Sequence, residues 1–407
     1  MKCGLLGRKL GHSYSPQIHA LLGNYSYQLF EKEPEEIGDF LKNGDFTGLN
    51  VTIPYKKEVI PFLDELSPAA ARLGAVNTIV RRDGKLIGHN TDYFGFRRLV
   101  QESGLQVAGK KVLVLGSGGA SSTAVAVLQE MGAKVTVISR SGENNYENLD
   151  RHADAAVIAN TTPVGMYPNT GKSALSLEGF PRLEGVLDAV YNPARTQILL
   201  DAERRGLAAV NGLWMLVAQA KESAEWFTGE EIPDSCIAKI HHSLRLQMEN
   251  IILIGMPGCG KTAVGQQLAQ KLGKKFVDAD ESLEARVCRK ITDIIPNDGE
   301  AAFREMESET LAELGKQSGL VIATGGGCVT QPQNYPLLHQ NGTIFWLKRE
   351  LDKLPTDGRP LSQKGTLGQM YEARMPLYLR FADAAISNDG SIAETAAAIC
   401  RKLEETT

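Results

Sequence analysis

The segment that most constrains this chain runs from Asn250 to Leu272. An apolar run, Asn-Ile-Ile-Leu-Ile, enters Gly255-Met256-Pro257-Gly258-Cys259-Gly260-Lys261-Thr262, and a helical pattern, Lys-Thr-Ala-Val-Gly-Gln-Gln-Leu, leaves it. The spacing G-x-x-x-x-G-K-[ST] between a strand and a helix predicts a phosphate-binding loop. Gly255, Gly258, Cys259 and Gly260 present backbone N–H groups, and the helix start adds its positive end. Lys261 is placed to reach the outer phosphates, and Thr262 to ligate Mg²⁺. No Asn-Lys-x-Asp run that would read guanine occurs, so the expected nucleotide is ATP. A strand that feeds such a loop commits its surroundings to a parallel α/β sheet.

The same grammar appears earlier. Lys-Val-Leu-Val-Leu leads into Gly116-Ser117-Gly118-Gly119-Ala120-Ser121, and the strand-like runs 134–139, 155–160 and 185–190 alternate with helical patterns. That predicts a second, Rossmann-like α/β unit. Its glycine turn misses the strict G-x-G-x-x-G/A form by one small residue, Ser121. The next strand ends at Ser139-Arg140-Ser141, where a site for NAD would carry an acidic residue for the ribose hydroxyls. Arg140 there favours a 2′-phosphate, hence NADP.

At 407 residues, 43% hydrophobic and 23% charged, the chain has material for two or three domains with real cores. Its net charge of −4 excludes the broad basic field of a general nucleic-acid binder. No apolar run approaches the length of a membrane span, and Arg8 and Lys9 break the N-terminal apolar stretch too early for a signal peptide. Six scattered cysteines form no CxxC, as expected of a reduced, cytoplasmic chain. His12, His19 and His89 match no metal-ligand spacing. The predicted division is a substrate-binding α/β lobe at 1–98, to which helices in 213–244 return, a Rossmann lobe at 99–212, and a P-loop kinase domain at 248–407. The join at 242–249 has no Gly or Pro, which predicts a helical connector.

Downstream of the phosphate loop lie Asp278-Ala279-Asp280, Phe303-Arg304, Gly325-Gly326-Gly327, Gly358-Arg359-Pro360-Leu361 and Arg374-Met375-Pro376-Leu377-Tyr378. Each has a bland reading alone: a strand end, solvated helix charges, a turn. In this order they resemble shikimate kinase over about 248–407, with a parallel sheet of the nucleoside-monophosphate-kinase type. The resemblance implies that Asp278 sits by the Mg²⁺ and that Asp280 binds and orients the attacking hydroxyl. It assigns Arg304 and Arg374 to the shikimate carboxylate, a task suited to Arg's planar fork. Gly326 would offer backbone N–H, and Arg359 would close over the phosphates. The segment from Leu347 to Arg359 is shorter than usual for that family, and the arginine usual near the base is not evident around Asn388-Asp389-Gly390.

The N-terminal lobe carries Ser13-Tyr14-Ser15-Pro16, Asn50-Val51-Thr52-Ile53-Pro54-Tyr55-Lys56, Asn77-Thr78 and Asn90-Thr91-Asp92, followed by Asn160-Thr161-Thr162, Asp188-Ala189-Val190-Tyr191 and Met215-Leu216-Val217-Ala218-Gln219. Singly these read as turn formers and helix caps. In this order they resemble shikimate dehydrogenase over residues 1 to about 244. The resemblance makes Lys56 the acid/base and Asp92 its orienting partner. Ser13, Ser15, Thr52, Asn77, Tyr191 and Gln219 become contacts to a polyhydroxylated ring acid. Gly116 to Ala120, Ser139 to Ser141, Ala189 and Gly212 line the NADP channel. Members of that family usually carry Asn-Arg-Thr where this chain has Ser-Arg-Ser.

Together the readings predict a bifunctional enzyme that acts on 3-dehydroshikimate and shikimate with NADP(H), ATP and Mg²⁺, without nucleic acid or membrane partners. An NAD-dependent quinate/shikimate dehydrogenase joined to another small-molecule kinase, or a ligand sensor without turnover, stays open at this stage.

Overall fold

The structure is a computed structural model that describes residues 1–11, 13–354 and 367–405. His12 and Arg359 therefore lie outside the described residues. The chain divides into two compact units, one comprising 1–165, 172–191 and 198–243, the other 166–171, 192–197 and 244–407.

The first unit holds two sheets. One is six-stranded and mixed, in the order Ser26–Glu31, Lys2–Gly7, Gly48–Val51, Thr78–Arg82, Lys85–His89 and Glu65–Leu66. Its antiparallel part includes the hairpin Thr78–Arg82 with Lys85–His89, turned by Asp83 and Gly84 at positive φ. The other sheet has five parallel strands in the order Ala208–Val210, Gly185–Asp188, Val157–Asn160, Lys111–Leu115 and Lys134–Ile138. Val112 to Leu115 are 0% exposed, because helices cover both faces of a parallel sheet and each central strand becomes a continuous apolar run. The chain leaves Lys111–Leu115 first to one side and then to the other. Ligands in open parallel sheets sit at such a switch point, outside the carboxyl ends of the strands.

Helix Leu213–Thr228 returns to the N-terminal lobe. It packs on helices Ser15–Leu22 and Asp92–Glu102 and touches strands Gly48–Val51 and Thr78–Arg82. Gly229, in the left-handed conformation at φ 75, ends it. The join at 242–249 lies almost wholly in helix Ser235–Met248, in line with its lack of Gly and Pro.

The second unit carries a five-stranded parallel sheet, ordered Lys275–Asp278, Leu320–Ala323, Asn250–Ile254, Gly342–Lys348 and Ala384–Ser387. Ile251 to Ile254 are at most 1% exposed at its centre. The phosphate loop follows this central strand and opens helix Lys261–Leu272, which ends at Gly273 with φ 63. Helix Ile291–Lys316 is broken at Gly299, whose φ is 89, so that Glu300 and the residues after it start a new helical run.

Candidate functional site

In the first unit, Asp92 is the first residue of helix Asp92–Glu102, where the positive helix end favours a carboxylate. Lys56 lies in the turns after strand Gly48–Val51, and its Nζ donates to Asp92 Oδ2 at 2.6 Å. The two side chains are 29% and 12% exposed, close to solvent on the amine side. Asn77 fixes the backbone beside them, since its Oδ1 accepts from Thr91 N at 2.7 Å. Asn77 Nδ2 donates to Thr91 Oγ1 at 3.0 Å and to Gln219 Oε1 at 3.4 Å. Lys56, Asp92, Asn77 and Gln219 thus meet at one place although they come from four stretches of chain.

Ser223, which the sequence reading did not single out, lies beneath this group. Its buried hydroxyl accepts from Asn50 Nδ2 at 2.8 Å, donates to Gln219 O at 2.9 Å, and sits 2.8 Å and 2.9 Å from the hydroxyls of Thr78 and Thr91. Tyr27 donates to the other end of Asn50 at 2.8 Å. The hub satisfies polar groups that burial would otherwise penalise. Only its i+4 spacing from Gln219 on the same helix hinted at it.

Ser13 and Ser15 form one turn, Ser15 N donating to Ser13 Oγ at 3.2 Å. Tyr14 between them meets Tyr191 edge to face at 6.2 Å, and burial raises both phenols. Thr52 is half-buried ahead of Lys56.

The glycine turn adopts a dinucleotide-loop conformation. Gly116 has φ +109, and a Cβ on it would press Thr161 and Thr162 at 3.1 and 3.2 Å. At Gly118 and Gly119 a Cβ would meet nothing within 4 Å, which leaves the N-terminus of helix Gly119–Glu130 open for a phosphate group. Ser121 is 3% exposed and donates its hydroxyl to Gly116 O at 2.7 Å; it is small enough for helix–strand packing and satisfies its own polar atom. A cleft of about 740 Å³ lies beside Ser117, Ser121 and Ser122. Arg140 is exposed just after strand Lys134–Ile138, and Ser141 follows it at the surface. Beneath the loop, Asn160 donates to Asp188 at 2.9 Å. Gly212 seats the start of helix Leu213–Thr228 on the chain at Ala189, where a Cβ would lie 2.1 Å from Ala189 O. The open loop, the helix end and Arg140 fit a dinucleotide with a 2′-phosphate.

In the second unit, Gly258 and Gly260 have φ of 84 and 95. Lys261 is folded onto its own loop, donating to Gly255 O at 2.9 Å and Met256 O at 3.1 Å. Thr262 Oγ1 donates to Asp278 Oδ2 at 3.0 Å, and Asp278 Oδ1 caps helix Ala279–Val287. A pocket of about 440 Å³ brings together Lys261, Thr262, Asp278, Asp280, Arg304, Gly326 and Arg374. Burial first, then the charges of Glu307 and Asp278, push the Asp280 carboxyl up to about 6. Arg304 is 6% exposed, and Arg374 donates to Gly326 O at 3.2 Å. Among the described residues no group of three or more His, Cys, Asp or Glu could hold a metal ion. The pair Thr262–Asp278 beside a phosphate loop fits Mg²⁺, which keeps waters and takes phosphate oxygens.

Glu307 also lines this pocket, and Tyr378 and Asn388 support its walls from behind. Glu307, one helical turn after Arg304, binds it at 2.9 Å. Tyr378 donates to Gly326 O at 2.5 Å. Asn388, 4% exposed, donates to Cys259 O at 2.6 Å and braces the loop from beneath. The i, i+3 spacing from Arg304 was a signal for Glu307; Asn388 had none.

Both parts of the chain resemble known proteins. Residues 5–79 match the model of the shikimate dehydrogenase substrate-binding domain, and residues 257–404 match shikimate kinase. The chain is 37% identical over 264 residues to a shikimate dehydrogenase (NADP(+)) of Clostridium perfringens, covering 60% of this chain and 97% of the relative. The chain belongs to the shikimate dehydrogenase family. Its C-terminal part is a shikimate kinase domain, so the whole is a shikimate-pathway fusion. Among solved structures, shikimate dehydrogenase 1 from Peptoclostridium difficile is 38% identical with a TM-score of 0.55, covering 60% of this chain and 98% of its own. The shikimate 5-dehydrogenase of Thermus thermophilus, solved with NADP(H) and shikimate, is 30% identical with a TM-score of 0.54 over 60% and 99% of the two chains. No helix among the described residues is long and apolar enough to cross a membrane.

Proposed function

We propose that the dehydrogenase part reduces 3-dehydroshikimate to shikimate with NADPH, and that the kinase part transfers the γ-phosphate of ATP to the 3-hydroxyl of shikimate. The observation that carries the first step is the Lys56–Asp92 pair at 2.6 Å. Bound NADPH supplies the hydride. Lys56, oriented by its ion pair with Asp92, gives a proton to the ketone oxygen as negative charge develops there. Asn77 and Gln219 orient ring hydroxyls, and the turn Ser13–Ser15 with Tyr191 receives the carboxylate end. Gly116 to Ala120, Ser139 to Ser141, Ala189 and Gly212 line the dinucleotide channel.

For the second step, Asp280 orients the attacking hydroxyl and accepts its proton, a role suited to a carboxyl held near 6. Arg304 and Arg374 hold the substrate carboxylate. The loop from Gly255 to Thr262 holds the phosphates, with Lys261 exchanging its loop carbonyls for phosphate oxygens; Thr262 and Asp278 would hold Mg²⁺, which neutralises charge on the transferring group.

One mixture tests both steps. With 3-dehydroshikimate, NADPH, ATP and Mg²⁺, the full chain forms shikimate 3-phosphate, while omitting ATP stops the sequence at shikimate. NADH used as readily as NADPH, or quinate preferred to shikimate, would replace the first half of the reading. ADP release that does not depend on shikimate would remove the second.

A further inference from the structure

Arg304 does not wait unpartnered for a substrate carboxylate. Glu300, Arg304 and Glu307 share one helix face, and both ends of the guanidinium are engaged. One terminal nitrogen meets Glu307 Oε2 at 2.9 Å, and the other meets Glu300 Oε1 at 3.1 Å. The two carboxylates differ in kind. The Glu307 side chain is 3% exposed and the Glu300 side chain 52%. Gly327 closes another side, since a Cβ there would lie 2.2 and 2.5 Å from the two terminal nitrogens. The guanidinium is therefore packed between the buried Glu307 and Gly327, and the ion pair nearest solvent, the one a carboxylate can exchange for, is that with the half-exposed Glu300. Glu300 also follows directly on the helix break at Gly299, where the backbone is not tied into a continuous helix on its N-terminal side.

We propose that Glu300 is a built-in stand-in for the substrate carboxylate. It occupies the outer edge of Arg304 in the free enzyme and yields to a carboxylate-bearing substrate. This rests on the reading of Arg304 as the carboxylate-binding group. Glu300 thereby sets specificity: a ring polyol without a carboxylate has nothing to exchange for it, while a carboxylic acid replaces one ion pair with another. The arrangement lowers affinity for the correct substrate, because a competing charge must first be displaced.

The test uses the full chain at saturating ATP and low ionic strength, comparing wild type with Glu300→Gln. A half-exposed ion pair is worth up to about 1 kcal/mol, so removing the competitor lowers the KM for shikimate about two- to fivefold. The kcat stays within about twofold, and the advantage shrinks as salt screens the pair. With the neutral methyl ester of shikimate, the two proteins share one KM. An unchanged or raised KM for shikimate in Glu300→Gln, or an equal improvement with the ester, overturns the stand-in role while leaving the kinase reading intact. Absence of shikimate-dependent ADP release in the wild type overturns that reading and this inference with it.

Discussion

Truncating Asn388 tests whether the phosphate loop is shaped from below. Asn388 follows strand Ala384–Ser387, and its amide does two jobs at once. It donates to Cys259 O at 2.6 Å and accepts from Thr395 Oγ1 at 2.7 Å. Gly260 leaves the space for it, since a Cβ there would lie 2.6 Å from Asn388 Nδ2. In Asn388→Ala the Cys259 carbonyl loses this partner in a buried setting. An unsatisfied buried group of this kind costs about 1–3 kcal/mol. If the loop relaxes in the free enzyme, ATP must restore its shape on binding, and the KM for ATP rises about 5- to 150-fold. Asn388→Asp keeps the acceptor for Thr395 but turns an oxygen toward Cys259 O, so its loss is at least as large. The assay is ADP release against ATP concentration at saturating shikimate, with NADPH oxidation by the same chain measuring active protein. A KM within twofold of wild type, with only the thermal midpoint lowered, would refute the reasoning and leave Asn388 as a brace for its own strand end.

Three other outcomes follow from the same geometry. Lys56→Ala and Asp92→Asn each lower the dehydrogenase rate by about 10²–10⁴, the usual share of a positioned acid/base, with ADP release unchanged; retained NADPH oxidation in either would dissolve the pair. Ser223→Ala removes the hub under Asn77 and Gln219, and raises the dehydrogenase KM for the ring substrate more than it lowers kcat; parallel changes in both, tracking stability alone, would make the hub purely structural. Asp280→Asn stops phosphotransfer yet stabilises the kinase domain at neutral pH. Its carboxyl lies higher in the folded protein, at about 6, than its ordinary 3.8. The folded form therefore binds the proton more tightly, and stability is lost as pH rises from about 4 to 6, by at most about 3 kcal/mol. The variant's gain in thermal midpoint, measured without nucleotide or metal, is present at pH 7 and fades toward pH 4; no gain at pH 7 would contradict this.

What was readable in the chain depended on how far apart the partners lie. The loop Gly255–Thr262 is a local object, a strand end, a turn and a helix start, and its conformation follows from its own spacing. The Rossmann turn was readable for the same reason, and Ser121 in place of Gly or Ala proved compatible because its hydroxyl bonds back to Gly116 O. Lys56 and Asp92 are 36 positions apart, and only resemblance to a family paired them. Glu307 and Ser223 escaped notice, and Asn388 stood out only as a place without an arginine, because Glu, Ser and Asn are commonest at the surface. Their importance comes from burial, which tertiary packing decides. Residues 1–98 likewise read only as a substrate-binding α/β lobe with no strand order, since register between distant strands has no local signature.

Gly212 carries a consequence beyond packing. Ala189 and Tyr191 stand at the carboxyl end of one parallel strand, and Gln219 and Ser223 ride the helix that Gly212 begins. The two runs touch where a side chain is missing, and the first methyl group added there would lie 2.1 Å from a main-chain oxygen. In evolutionary terms this is a position with a single admissible letter: no larger residue fits without moving one run against the other. A lineage could rewrite much of the surface around it and still be unable to edit this one hydrogen into a carbon.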